Sequence, residues 1–200
     1  MSRLRHIADR VERDWWLILC GAGIGTLTGL GAIGFAEVLH LFESQANRLL
    51  LGFPVWPLFV VPLVGMALTG ILVQTYATEA RGHGVPQVMD ALIRKRGVIP
   101  LRIGVVKVIA SILTVGSGGS AGTEGPIVQI GATAGSWIGQ KFRVSREDMG
   151  TFVGCGAAAG IASIFNAPIA GVFFVLEILL RDFSLKTFTP IVVASVFSTA

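Results

Sequence analysis

Long uncharged runs set the pattern of this chain. Trp15 to Ala36 carries no charge, and neither does Leu49 to Thr78 or Met149 to Leu176. A helix needs about 20 apolar residues to cross about 30 Å of hydrocarbon, so each run predicts a membrane span. In the second run Pro54, Pro57 and Pro62 put the start of the helix proper near Trp56. Residues 1–14 are polar and charged and read as a cytoplasmic N-terminal segment or short helix. Residues 15–200 read as the transmembrane part.

The middle of the chain behaves differently. From Val108 to Gln140 the only charge is Glu124. That glutamate lies in Gly116-Ser-Gly-Gly-Ser-Ala-Gly-Thr-Glu-Gly-Pro126, whose five glycines and proline will not continue a helix. The pattern therefore predicts two short apolar helices joined by irregular backbone, the second running from Ile127 to Gln140. At membrane depth such backbone is tolerated only inside protein or along a water-filled path, and broken helices of this kind build the binding sites of transporters. A second break precedes it. Arg81-Gly-His-Gly-Val-Pro86 opens the segment Gln87 to Ile93, which is too short to span and reads as a re-entrant half-helix with Pro86 in its first turn. The fold class expected is an all-α integral membrane protein with tilted, broken helices and re-entrant half-helices.

Composition agrees. Hydrophobic residues make up 52% of the chain and charged residues 14%, against about 25% charged in soluble domains. Mean hydropathy is +0.73. These values exclude a disordered chain, a coiled coil and a soluble nucleic-acid binder, although the net charge is +4. With the N-terminus inside and both re-entrant segments real, every Lys and Arg falls on the inner side except Arg48, which falls outside, and Lys107, which falls within a span. The charge is then mostly topology. The series Gly21/Gly25/Gly29, Gly131/Gly135/Gly139 and Gly156/Gly160 place small residues four apart, which lets helix backbones approach in lipid. Gly21-Ala-Gly-Ile-Gly25 has no strand before it and no acidic partner after it, so packing is preferred to nucleotide binding. Cys20 and Cys155 sit in apolar runs and read as small hydrophobes. No signal-peptide pattern follows the charged start. Thr187 to Ala200 is apolar and stops without a cap or charge, which reads as a span cut short in a longer protein.

Glu124 carries the sharpest chemistry. A carboxylate at membrane depth is costly and is a functional candidate by default. The helix start after it offers unpaired amides and about +0.5 of a charge, a setting that holds an anion. Either the carboxylate or a small ion can fill it, so Glu124 would act as a gate and, once protonated, as a proton carrier. The plainer alternative is a structural glutamate capping those amides. Gly82-His-Gly-Val-Pro86 supplies a second set of free amides, and two helix starts aimed at one point bind an anion without full charges that would hold it too tightly. His83 is open between a structural and an ion-facing role. Lys107 reads first as snorkelling to the inner interface, with support of an anion path as the alternative. Gly118-Gly-Ser-Ala-Gly122 matches the Gly-x-Ser-x-Gly pattern and raises an intramembrane serine hydrolase using Ser120, although that elbow requires a preceding strand. A non-conducting membrane scaffold is a third reading. No metal-ligand cluster and no cofactor motif is present.

Together these residues resemble the chloride channel (CLC) family of anion channels and anion/proton exchangers, over nearly the whole chain. Gly82-His-Gly-Val-Pro86 is similar to the family's first filter motif, usually Gly-Ser-Gly-Ile-Pro. Gly122-Thr-Glu-Gly-Pro126 is similar to the second, usually Gly-Lys/Arg-Glu-Gly-Pro. Ile127-Val-Gln-Ile-Gly131 and Gly156-Ala-Ala-Ala-Gly160 through Phe165-Asn-Ala-Pro168 match the helices that follow. The resemblance implies the first of two inverted repeats, with Glu124 as gate and outer proton acceptor. It implies anion contacts from Gly82, His83, Gly84, Val85, Pro86, Gly122, Gly125 and Pro126, and a homodimer with one pore per subunit in a bacterial cell membrane. It implies chloride or a similar small anion as partner, with protons in exchangers, and no nucleic acid or cofactor. Four departures accompany it. His83 stands for the usual serine, Thr123 for the usual basic residue, and Ile178 where exchangers often carry an inner glutamate after Glu177. The second repeat, with its Gly-x-Phe-x-Pro-type motif and central tyrosine, is absent, so the 200 residues alone are expected not to conduct.

Overall fold

The computed structural model describes the backbone of residues 2–50 and 57–200, and the side chains of residues 15–46, 48 and 59–200. Pro54 and Trp56, where the second helix was expected to begin, lie outside the described residues. Every regular element among the described residues is helical. In order they are α1 (Ser2–Leu50), α2 (Pro57–Tyr76), a single 3-10 turn (Thr78–Ala80), α3 (Val85–Arg94), α4 (Leu101–Gly116), α5 (Glu124–Lys141), α6 (Arg146–Phe165), α7 (Pro168–Phe174) running into a π-helical stretch (Val175–Leu180), and α8 (Leu185–Phe197). The segment before Trp15 does not form a separate short helix: from Ser2 the backbone continues into the first span without interruption.

Among the described residues, three helical segments are long and apolar enough to cross a membrane: Trp15–Ala46, Phe59–Tyr76 and Arg146–Phe165. The half-helix expected at Gln87 to Ile93 is present as α3, whose 10 residues rise roughly 15 Å, half the thickness of the hydrocarbon. Two further expectations are corrected. The run Met149 to Leu176 is not one span. It breaks at Asn166, which ends α6 in the left-handed region at φ 49°, and Pro168 then opens α7. Asparagine tolerates that conformation and proline favours a first helical turn, so Asn166-Ala-Pro168 is a stop and a restart. The other correction concerns α5. It begins at Glu124, ahead of the expected Ile127, so Glu124, Gly125 and Pro126 form its first turn and the irregular stretch is 117–123.

Helix α6 is the centre of the fold. Its residues from Thr151 to Ala162 are all buried, among α5, α1, α8 and α7. The glycine series do the packing predicted for them. A methyl group on Gly131 would strike the Gly156 carbonyl, and one on Gly156 the Gly131 carbonyl, so α5 and α6 cross backbone against backbone. Gly21, Gly25 and Gly29 meet the backbone of Pro190, Ala194 and Ser198, which docks α1 on α8 in the same way. In lipid these close approaches replace the hydrophobic drive that water would supply. Leu19, Leu30, Phe59, Leu63, Ile71 and Leu185 of α1, α2 and α8 are exposed, an apolar surface of the kind membrane segments present. Cys155 is buried and Cys20 partly so, and both are free.

Candidate anion site at two helix starts

The loop before α3 is held open by one side chain. Gln87 accepts from the Gly84 N–H at 2.8 Å and donates from Nε2 to the Arg81 carbonyl at 2.6 Å. Gly82 and Gly84 have φ of 87° and 118°, which the tight reversal requires and which L side chains rarely adopt. Lys107 braces the loop from behind. It is 5% exposed and donates from Nζ to the carbonyls of Ala80 (3.2 Å) and Gly82. The lysine therefore does not snorkel to an interface: its charge is buried, and two of its N–H groups turn two loop carbonyls toward α4. The Gly84 amide is an exception to the expected set, because Gln87 already takes it.

The start of α5 is uncapped. Thr123 is the N-cap and makes no side-chain cap hydrogen bond. The first intrahelical bond runs from the Ile127 N–H to the Thr123 carbonyl, and Pro126 has no N–H to offer. The amides of Glu124 and Gly125 make no hydrogen bond among the described residues. The Glu124 carboxylate is exposed, folds back against Gly122, and also makes no hydrogen bond there. The capping role considered for it has no hydrogen bond to support it.

The two starts meet. A methyl group on Gly84 would strike the Gly125 carbonyl, and one on Gly125 would strike the His83 carbonyl and its Nδ1. Only glycine at both positions lets the backbones touch. Beside this junction is an open hollow of about 410 Å³ lined by His83, Val85, Pro86, Glu124, Val128, Ile161, Phe165, Phe174 and Ile178. Gly82, His83, Gly84, Val85, Pro86, Glu124, Gly125 and Pro126 are thus brought together, although they come from the starts of α3 and α5, with the rest of α3 and all of α4 between them. Gly122 lies just outside, under the Glu124 carboxylate, and borders a second hollow between α2 and α4. Ile161 and Phe174 were not singled out from sequence, and Phe165 only as part of the run Phe165-Asn-Ala-Pro168. Ile161 and Phe165 come from the end of α6, and Phe174 arrives because the break at Asn166 turns α7 back toward the junction, for which Asn166-Ala-Pro168 was the available signal. Ser120 is exposed in the 117–123 loop, with no strand before it among the described residues. No group of three or more His, Cys, Asp or Glu that could hold a metal occurs among the described residues.

Comparisons with known proteins agree with this arrangement. The voltage-gated chloride channel family matches residues 65–200. The H(+)/Cl(-) exchange transporter ClcA of Salmonella paratyphi B is 34% identical over 208 aligned residues, covering 98% of this chain and 44% of the relative. A slow cyanobacterial Cl-/H+ antiporter superposes with a TM-score of 0.79 at 28% identity, covering 92% of this chain and 45% of that one. A CLC-type fluoride/proton antiporter superposes with a TM-score of 0.78 at 30% identity, again over 92% and 45%. The chain belongs to the voltage-gated chloride channel family. It spans less than half the length of these relatives, matching their N-terminal part.

Proposed function

We propose that this chain supplies the first half of a CLC-type transporter that moves chloride or a similarly small inorganic anion, gated by Glu124. One observation carries the reading: two helix starts meet backbone to backbone beside a carboxylate that makes no hydrogen bond among the described residues. Each start contributes about half a positive charge, enough to draw an anion out of water and too little to trap it. The Glu124 and Gly125 amides at α5 and those of Gly82, His83 and Val85 around the start of α3 are the contacts left for the ion, since Gln87 holds that of Gly84. Ionised Glu124 competes for the same amides. Protonation removes its charge and frees the place, which couples proton binding to anion passage.

The named relatives exchange anions for protons, and that supports exchange here. One observation favours an uncoupled channel instead. Ile178, at the place where exchangers often carry an inner glutamate, presents an aliphatic chain to the same hollow. A cytoplasmic N-terminus is supported by the placement of the basic residues, and a bacterial cell membrane by the Salmonella relatives. The assembly is a homodimer, as the family resemblance implies. The Ser120 hydrolase reading lacks the strand its elbow needs.

The test is a chimera in which this chain replaces the matching first half of the Salmonella exchanger, reconstituted in liposomes with anion and proton flux recorded together. Wild type moves chloride with a rate that depends on pH. Glu124→Gln removes that pH dependence and any coupled proton movement. Unchanged rate and pH dependence in the variant would remove Glu124 from the gate. Chloride flux without proton flux in the wild type decides for the channel.

A further inference from the structure

A second hollow, of about 550 Å³ and with a mixed apolar and polar lining, lies between α2, α4 and the two filter-like loops and borders Gly122, which lies under the Glu124 carboxylate. Five residues of α4 line it, Lys107, Ala110, Ser111, Thr114 and Val115; of these Lys107 and Ser111 are one helical turn apart and so on one face of the helix. Both are more than nine-tenths buried, at 5% and 6% exposure. An ammonium has three N–H donors, and Lys107 uses two on the Ala80 and Gly82 carbonyls. No carboxylate pairs with it among the described residues. The Ser111 hydroxyl has no hydrogen-bond partner among the described residues either. A buried ammonium without a counter-charge is strongly disfavoured, and the Ser111 oxygen, which is not among the sealed unpartnered atoms, is open for a ligand to reach. Both residues line the same space.

We propose that Lys107 and Ser111 form a second anion site, separate from the junction at Glu124, that takes a halide-sized monovalent anion. The third Lys107 N–H and the Ser111 O–H would both donate to it, and its charge would neutralise the ammonium. A halide needs about the space of one water, roughly 30 Å³, so the hollow has room for the ion with its remaining hydration. The hollow also borders Gly82, His83 and Gly122, which puts an ion there next to both loops of the junction. The site stands on groups of α4 and does not depend on the gating role of Glu124.

The test uses the purified chain in detergent, crystallised and soaked in sodium bromide, with anomalous diffraction recorded at the bromine edge. Bromide is expected within hydrogen-bonding reach of both Lys107 Nζ and Ser111 Oγ. Ser111→Ala is the informative variant, because its hydroxyl makes no hydrogen bond among the described residues whose loss would disturb the fold. It should weaken radiobromide binding in equilibrium dialysis about tenfold, the loss of one hydrogen bond to a charged group. Glu124→Gln should leave the peak in the hollow in place. Three results overturn the proposal: water only in the hollow, a peak and affinity unchanged by Ser111→Ala, which marks an adventitious ion only, or a peak that moves with Glu124→Gln.

Discussion

Adding one methyl group at the junction tests whether backbone contact between the starts of α3 and α5 holds the site together. Gly84 sits at φ 118°, and its added Cβ would meet the Gly125 carbonyl oxygen and, at 2.9 Å, the carbonyl carbon. Backbone in that region costs a side chain about 1–3 kcal/mol. Overlap with a carbonyl that cannot swing away costs about 1–3 kcal/mol more. Gly84→Ala should therefore lose about 2–6 kcal/mol in all. Two neighbours separate the contributions. Gly125→Ala lies in helical backbone and incurs the overlap alone, about 1–3 kcal/mol, because His83 covers it. Gly82→Ala, at φ 87°, meets only the end of the Gln87 side chain at 2.8 Å and incurs mainly the left-handed strain, about 1–2 kcal/mol. The assay is unfolding of the purified chain from mild detergent into dodecyl sulfate, followed by tryptophan fluorescence. The expected order of loss is Gly84→Ala first, with the other two smaller. A Gly84→Ala protein within about 0.5 kcal/mol of wild type, the usual range of neutral surface changes, would refute the contact.

Further outcomes follow from the same geometry. On α1, Gly25→Ala would drive a methyl into the Ala194 backbone and should cost about 1–3 kcal/mol. Gly23→Ala, with nothing within 4 Å of its added Cβ, should be neutral or up to about 1 kcal/mol stabilising in the same assay. Asp182, between the π-helical stretch and α8, accepts from the Ser184 N–H at 2.9 Å and from the hydroxyls of Thr187 and Ser184. The Ser184 amide first, then the Thr187 hydroxyl, hold its carboxyl below the usual carboxylate range. A depressed folded value means its stabilisation is present above the ordinary carboxylate range and is lost as pH falls through the lowered one. Unfolding curves of wild type and Asp182→Asn should therefore differ at neutral pH and converge in acid, and a gap that widens toward low pH would contradict this. His83→Ser should change chloride-over-fluoride preference in the chimera's flux, since the imidazole borders the Glu124 hollow. Identical preference in the two proteins would place that side chain outside the ion path.

The spans and the first break were legible because their signals are local. Charge-free runs report α1 and α2, and glycines from 116 to 125 with Pro126 announce that no helix passes through. The small-residue series marked the helix faces that pack, though not their partners on α6 and α8. The break at Asn166 escaped a reading built on gaps between charges, because Asn166, Ala167 and Pro168 carry none; their backbone preferences were the usable sign. The start of α5 was placed late because Gly125 and Pro126 look like breakers, yet proline is tolerated where its missing N–H has no bond to make. Lys107 escaped for a different reason. Its partners Ala80 and Gly82 lie 27 and 25 residues away, in a loop whose position no local pattern reports. Meeting of the two glycine motifs was available only through family resemblance, since nothing in their spacing brings Gly84 onto Gly125.

The most direct test of the central claim is a chloride titration by calorimetry on the chimera and on its Glu124→Ala variant. If the carboxylate and an anion contend for one set of amides, the variant binds an additional chloride or binds chloride more tightly than the parent at neutral pH. Equal stoichiometry and equal affinity in the two proteins would mean that Glu124 occupies no anion's place.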